Sequence, residues 1–263
     1  MQVGLSGIVT PSDWSFPQFV ATCREAGYAA AELPLRDQGW LTLDTPAAEL
    51  RAAAAHADAE DLHLASVALL VSGVDFMTND AAAREAALAK VLRGLEVTAA
   101  LGVDTLLVTP GRIGPDCPYD DAYYNALGAL RSISPQVAAI GVNLALEYVW
   151  NWFLLSPLEY RRFLDDVDCP QIGFFFDSGN MVLQGYPEQW ARILGRHLMM
   201  VHLKDFRRAD HSWPPLGQGD VDFPAVMAEL RRLGYDGALL SEVDPGVASF
   251  AETAQAIRAI MEA

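Results

Sequence analysis

Four short apolar runs in the second half of the chain each stop at an ionisable residue, and nothing else in the sequence constrains the fold as tightly. They are VNLALE, ending at Glu147; IGFFFD, ending at Asp177; LMMVH, ending at His202; and GALLSE, ending at Glu242. An apolar run of strand length bounded by polar residues reads as a strand buried on both faces, which is the environment of a parallel sheet. Ionisable groups gathered at the C-terminal ends of such strands need one mouth shared by several strands, and a closed α/β barrel provides it. A doubly wound open sheet is the rival architecture, but no Gly-x-Gly-x-x-Gly turn follows the first strand. Gly217 and Gly219 in LGQGDVDF follow no strand directly and read as loop geometry.

The first half keeps the same rhythm of alternating strands and helices. Strands are expected over residues 3–9, 28–35, 63–70 and 104–109, the last ending at Pro110 and Gly111. Helices are expected from an Asp13 cap to Gly27, over 47–59, from an Asp80 cap through Leu101 with Gly102 as its stop, and over 120–140. In the second half, helices are expected from Pro157, after Pro187, after Phe223 and over 247–261. Eight βα units in 263 residues, with no Pro/Ser-rich linker, predict a single (β/α)8 TIM-barrel domain over 1–263.

Composition bounds the partners. A 52% hydrophobic content with 20% charged residues predicts a large buried core. A formal net charge of −16 opposes any phosphate-backbone ligand and predicts no nucleic-acid partner, although a few local cations would still serve a small phosphorylated substrate. The apolar runs are too short for a bilayer, the N-terminus lacks the pattern of a secretory signal, and Cys23, Cys117 and Cys169 have no metal-binding spacing. A cytoplasmic protein with reduced thiols is the expectation.

Each acid taken alone reads equally well as a strand-end group facing solvent. All four groups, each at the first polar position after an apolar run, point instead to a site for one divalent ion held by Glu147, Asp177, His202 and Glu242. Three carboxylates and one imidazole, without thiolates, favour Mn²⁺ first, with Mg²⁺, Co²⁺ or Zn²⁺ as alternatives.

At NLALEYVWN, IGFFFDSGN, MMVHLKDF and LGQGDVDF…LGYDGALLSEVD the chain resembles the xylose-isomerase-like TIM barrels, a superfamily of sugar isomerases and epimerases that also includes the endonuclease IV family. The segment EYVWNWFLLSPLEY is similar to bacterial proteins described as pentulose-phosphate or hexulose-phosphate isomerases and epimerases. In the ketose 3-epimerases of the superfamily, the residues matching Glu147, Asp177, His202 and Glu242 hold one metal ion, and the two glutamates exchange a proton with the substrate. The resemblance thus implies a metal-dependent isomerase or epimerase acting on a ketose sugar or sugar phosphate through a cis-enediolate, with 3-epimerisation leading. Hydroxypyruvate isomerase, an inosose dehydratase-type lyase and a non-enzymatic sugar-binding regulatory barrel are the alternatives. It also implies a homodimer or homotetramer. Endonuclease IV activity is set aside, because its trinuclear site needs more histidines than the five present.

The same resemblance assigns substrate-binding roles. Asn180 stands where the epimerases often carry a histidine, three residues after Asp177, and can hydrogen-bond a hydroxyl without titrating. Arg208 lies six residues after His202, where related enzymes use an arginine to hold substrate oxygens, and Lys204 and Arg207 are expected to add a phosphate clamp. Glu32, in AAELPL, is expected to reach the mouth and bind a sugar hydroxyl. Trp150, Trp152 and Phe153 are candidate pocket walls, and the loop carrying His211 and Trp213 is a candidate lid.

Overall fold

Side chains two apart on a strand share a face, and this alternation organises the whole molecule. A computed structural model describes residues 1–263. Eight parallel strands close into a barrel in chain order: β1 (Gln2–Ser6), β2 (Ala30–Arg36), β3 (His63–Leu70), β4 (Thr105–Val108), β5 (Asn143–Glu147), β6 (Ile172–Asp177), β7 (Leu198–Leu203) and β8 (Ala238–Ser241). β8 pairs with β1, so no strand edge is left open. The helices α1 (Phe16–Ala26), α2 (Ala47–Ala59), α3 (Ala81–Ala100), α4 (Tyr119–Ile140), α5 (Pro157–Val167), α6 (Pro187–Leu194), α7 (Phe223–Arg232) and α8 (Phe250–Glu262) follow the strands one for one. No helix is long and apolar enough to cross a membrane.

The main core lies between sheet and helices, and a second apolar cluster fills the barrel itself. That inner cluster contains Ala30, Ala145, Phe175, Met200 and Leu240. Two residues further along the chain lie Glu32, Glu147, Asp177 and His202 within their strands and Glu242 just past β8. The same inward face that packs the barrel floor therefore delivers these five groups above it.

The predicted elements are observed with local differences. Residues 7–9 form a 3-10 turn rather than the end of β1; Gly7 packs so closely against Pro34 that an added Cβ would lie 2.5 Å from its Cδ. Helix α1 is capped by Ser15, not Asp13, through a reciprocal box with Gln18. Helix α8 begins at Phe250, where Ser249 and Glu252 form the same box, rather than at 247. Asp80 does cap α3, accepting from the amides of Ala82 and Ala83.

Candidate active site at the barrel mouth

His202 stands at the centre. It is fully buried, and its ring lies 4.4 Å from the Phe175 ring on the neighbouring strand. Its Nδ1 is 3.4 Å from Glu147 Oε1 and 3.3 Å from Glu242 Oε2, so two carboxylates from different strands converge on one nitrogen. Asp177 completes the group, paired in register with His202 across β6 and β7. One ligand atom from each of these four residues lies within 4.8 Å of all the others.

The donor set fits a divalent cation on a second ground. Asp177 Oδ1 accepts the Asn180 amide at 2.7 Å, but Asp177 Oδ2 is buried with no hydrogen-bond partner. A buried carboxylate oxygen left without a donor costs about 1–3 kcal/mol or more, and a metal ion would satisfy it. Lys204 Nζ lies 3.8 Å from Asp177 Oδ2 and 2.8 Å from Glu242 Oε1.

Crowding sets the titration of these groups apart. Burial pushes Glu147 up to about 7, against the pull of His202. Burial acts the same way on Glu242, but Lys204 and His202 outweigh it and bring that carboxyl down to about 2. Burial also disfavours the His202 imidazolium, yet Glu32, Glu147 and Glu242 together hold it well above the usual histidine range.

Glu32 is placed differently from the expectation. It does not face the mouth: it is fully buried behind His202, whose Nε2 lies 2.8 Å from Glu32 Oε1. Ser6 Oγ donates to Oε1 at 2.6 Å and Ser66 Oγ donates to Oε2 at 2.8 Å. Ser6, Glu32 and Ser66 are register neighbours on β1, β2 and β3, so the pairing of the strands builds this cradle. With no surface exposed, Glu32 is out of reach of a sugar hydroxyl, and what it can do from there is orient the His202 ring.

The remaining candidates divide. Asn180 Nδ2 donates to Glu147 Oε1 at 3.3 Å and to the Tyr148 carbonyl at 3.2 Å, so this amide braces a glutamate of the candidate metal group. Lys204 lines a mouth cavity of about 300 Å³ together with Trp213, Glu242 and Asp244. The Lys204 ammonium lies 4.7 Å from the Trp213 ring, which stacks on Trp150 at 5.0 Å. Trp152, by contrast, is exposed, and Phe153 is packed in the core. Arg208 has its Nε on the Val182 carbonyl at 2.9 Å and its Nη2 on the Gly185 carbonyl at 2.6 Å, tying down the loop after β6.

Sequence reading gave Asp205 no role of its own, although its place two residues after β7 and the spaced glycines downstream were signals. Its Oδ2 accepts from Gly217 and Gly219 at 2.9 and 2.8 Å, and its Oδ1 from Phe206 and Val221 at 2.9 and 3.2 Å. An added Cβ at Gly219 would collide with that carboxylate. Replacing Asp205 with Ala orphans these amides and is expected to cost roughly 2–4 kcal/mol; urea unfolding with an unchanged midpoint would contradict this.

Comparison with known proteins places the arrangement. The chain is 25% identical over 255 residues to the ketose 3-epimerase of Arthrobacter globiformis, covering 92% of this chain and 83% of the relative. It is 24% identical over 256 residues to the putative L-ribulose-5-phosphate 3-epimerase SgbU of Escherichia coli (strain K12), covering 92% and 88%. A crystal structure of a D-tagatose 3-epimerase-like protein superposes with a TM-score of 0.85 at 20% identity, over 100% of this chain and 97% of the other. The family model described as xylose isomerase-like TIM barrel matches residues 20–260, and the chain belongs to that family.

Proposed function

We propose that this protein is a divalent-metal-dependent ketose epimerase that inverts C3 of its substrate by proton exchange with Glu147 and Glu242. The observation that carries the reading is the approach of these two carboxylates to the same histidine nitrogen from separate strands, at 3.4 and 3.3 Å. Two bases on either side of one small space can remove a proton from one face of a carbon and return one to the other. The similarity to ketose 3-epimerases over most of the chain supports the same reading.

Glu147, Asp177, His202 and Glu242 would hold the ion. When bound, a divalent ion there would act as a Lewis acid, polarising the ketose carbonyl and acidifying the adjacent C–H. The protein's own groups do the rest. One glutamate takes the C3 proton, the electron pair delocalises onto the carbonyl as an enediolate, and the other glutamate delivers a proton to the opposite face. Asn180 steadies Glu147, and Lys204 steadies Glu242. Trp213, backed by Trp150 and beside Lys204, walls the cavity and keeps water from the exchanging proton.

The test is incubation of Mn²⁺-loaded protein with ketoses in D₂O, followed by NMR. Deuterium at C3 in an inverted product is the expected result. Label at C1 would make the enzyme an aldose–ketose isomerase, and a product that has lost water would make it a lyase; either outcome displaces the epimerase.

A further inference from the structure

Resting on that reading, we infer that Lys204 is a catalytic residue: its ammonium donates to the substrate oxygen on which negative charge develops while Glu242 holds the C3 proton. The inference starts from the alternation of β7. Leu203 packs in the core between sheet and helices, whereas His202 and Lys204, on either side of it, both turn inward. Lys204 therefore stands above His202, one step nearer the mouth.

The protein holds this side chain along its whole length. Ser178 Oγ accepts the Lys204 amide at 3.0 Å and donates to the Lys204 carbonyl at 2.7 Å, which pins the backbone to the end of β6. The stem passes Gly179 so closely that an added Cβ there would lie 3.0 Å from both Lys204 Cβ and Cγ. The Trp213 ring, 4.7 Å from the ammonium, completes the cradle. Fixing so flexible a side chain costs conformational entropy, which a lysine serving only as surface charge would keep.

Its donors exceed its partners. An ammonium carries three N–H groups. One is engaged by Glu242 Oε1 at 2.8 Å, while Asp177 Oδ2, at 3.8 Å, is beyond hydrogen-bond distance. The others are left for a ligand in the mouth cavity, of which Lys204 is the one lysine or arginine wall residue. The arginines are committed elsewhere, which corrects the expectation of a clamp. Arg207 Nη2 donates to the Gln218 carbonyl at 2.6 Å, and Arg208 gives Nε and Nη2 to the carbonyls of Val182 and Gly185. Holding a substrate oxygen, the task expected of Arg208, thus falls to Lys204.

The chemistry balances. The C3–H bond breaks, its proton goes to Glu242, its electron pair forms the C2–C3 double bond, and the former carbonyl oxygen takes the charge. Glu242 loses its negative charge as one appears on that oxygen, so the ammonium exchanges one anionic partner for another. A proton from Glu147 then reforms C3–H on the opposite face and restores the carbonyl. After release, solvent takes the Glu242 proton and returns one to Glu147, and Lys204 pairs with Glu242 again.

The experiment removes the ammonium from the Mn²⁺-loaded protein. Lys204→Met keeps the stem, and with a ketose that the parent turns over, kcat for deuterium entry at C3 is expected to fall by about 100- to 1000-fold while KM stays within about threefold. Propylammonium is expected to restore part of the rate of Lys204→Ala in a saturable manner, which lost packing would not allow. Calorimetry adds a test without turnover: glycolohydroxamate, an enediolate mimic, is expected to bind Lys204→Met at least about tenfold more weakly than the parent, while Mn²⁺ binds the metal-free variant no more weakly. A kcat within about tenfold of the parent, equal glycolohydroxamate affinity or weakened Mn²⁺ binding overturns the inference and leaves the epimerase reading intact. A parent that exchanges no ketose overturns the epimerase reading instead, and the glycolohydroxamate comparison still decides the contact. If circular dichroism shows Lys204→Met unfolded, Lys204→Gln, which keeps an N–H donor without the charge, is judged by the same criteria.

Discussion

Replacing Glu242 with Gln is expected to slow C3 proton exchange by roughly 100- to 10,000-fold, the range that a positioned general acid–base contributes. Gln matches Glu in volume and can still accept a hydrogen bond from Lys204, which lies 2.8 Å from Glu242 Oε1. What it loses is the charge and the capacity to carry the proton. Glu242 follows β8 immediately, and its backbone N–H donates to the Leu203 carbonyl, a bond that the substitution leaves in place. The backbone frame is thus kept, but Lys204 and His202 lose a buried anionic partner, which is expected to cost roughly 3–5 kcal/mol of stability, so the fold is checked by circular dichroism on the same sample. Because the same carboxylate is a candidate metal ligand, exchange must be read at saturating Mn²⁺, with metal content measured on the same sample. Glu147→Gln should behave alike. A Glu242→Gln variant, metal-loaded and exchanging within tenfold of the parent, would remove Glu242 from proton transfer.

How far these roles were legible in the sequence depends on which kind of information fixed each one. The four candidate ligand positions were readable because a buried parallel strand admits mostly apolar residues along its length. A lone ionisable group where VNLALE or IGFFFD stops has no local reason to be there. The helices with a strong local signal were readable for the same kind of reason: α2 matches its alanine-rich run, and Asp80 caps α3. Glu32 was not readable to the same depth. AAELPL shows the same pattern of apolar strand and acid, but the strand continues through Arg36, so Glu32 sits within β2 rather than at its end. Only the register that sets Ser6 and Ser66 beside it shows that it is held inside the barrel, against His202. The contacts of Arg208 and Asp205 were hidden for a related reason. Their partners are backbone groups of loops, at Val182 and Gly185 for the arginine and at 217–221 for the aspartate, and backbone donors leave no trace in residue identity.

Glu32→Gln is expected to weaken Mn²⁺ binding by about 10- to 100-fold, the usual effect of removing the carboxylate behind a ligating histidine. An ionised carboxylate only accepts hydrogen bonds. With Ser6 and Ser66 donating to it, the histidine nitrogen at 2.8 Å must present its N–H as well. That fixes the proton on Nε2 and turns the Nδ1 side of the ring toward Glu147 and Glu242, where the candidate metal group lies. A divalent ion held by this group would take the Nδ1 lone pair, while the proton facing Glu32 stays on Nε2. An amide at position 32 brings its own N–H₂ into a cradle already supplied with three donors. One of the serines must then turn round to accept, and the imidazole loses both its anionic partner and part of its basicity. Calorimetric titration of metal-free protein with Mn²⁺ measures the effect without requiring any turnover. Far-UV circular dichroism and urea unfolding of the same metal-free samples separate it from a loss of fold. A folded Glu32→Gln protein that binds Mn²⁺ as tightly as the parent would show that His202 needs no support from Glu32, and the orienting role would fall with that result.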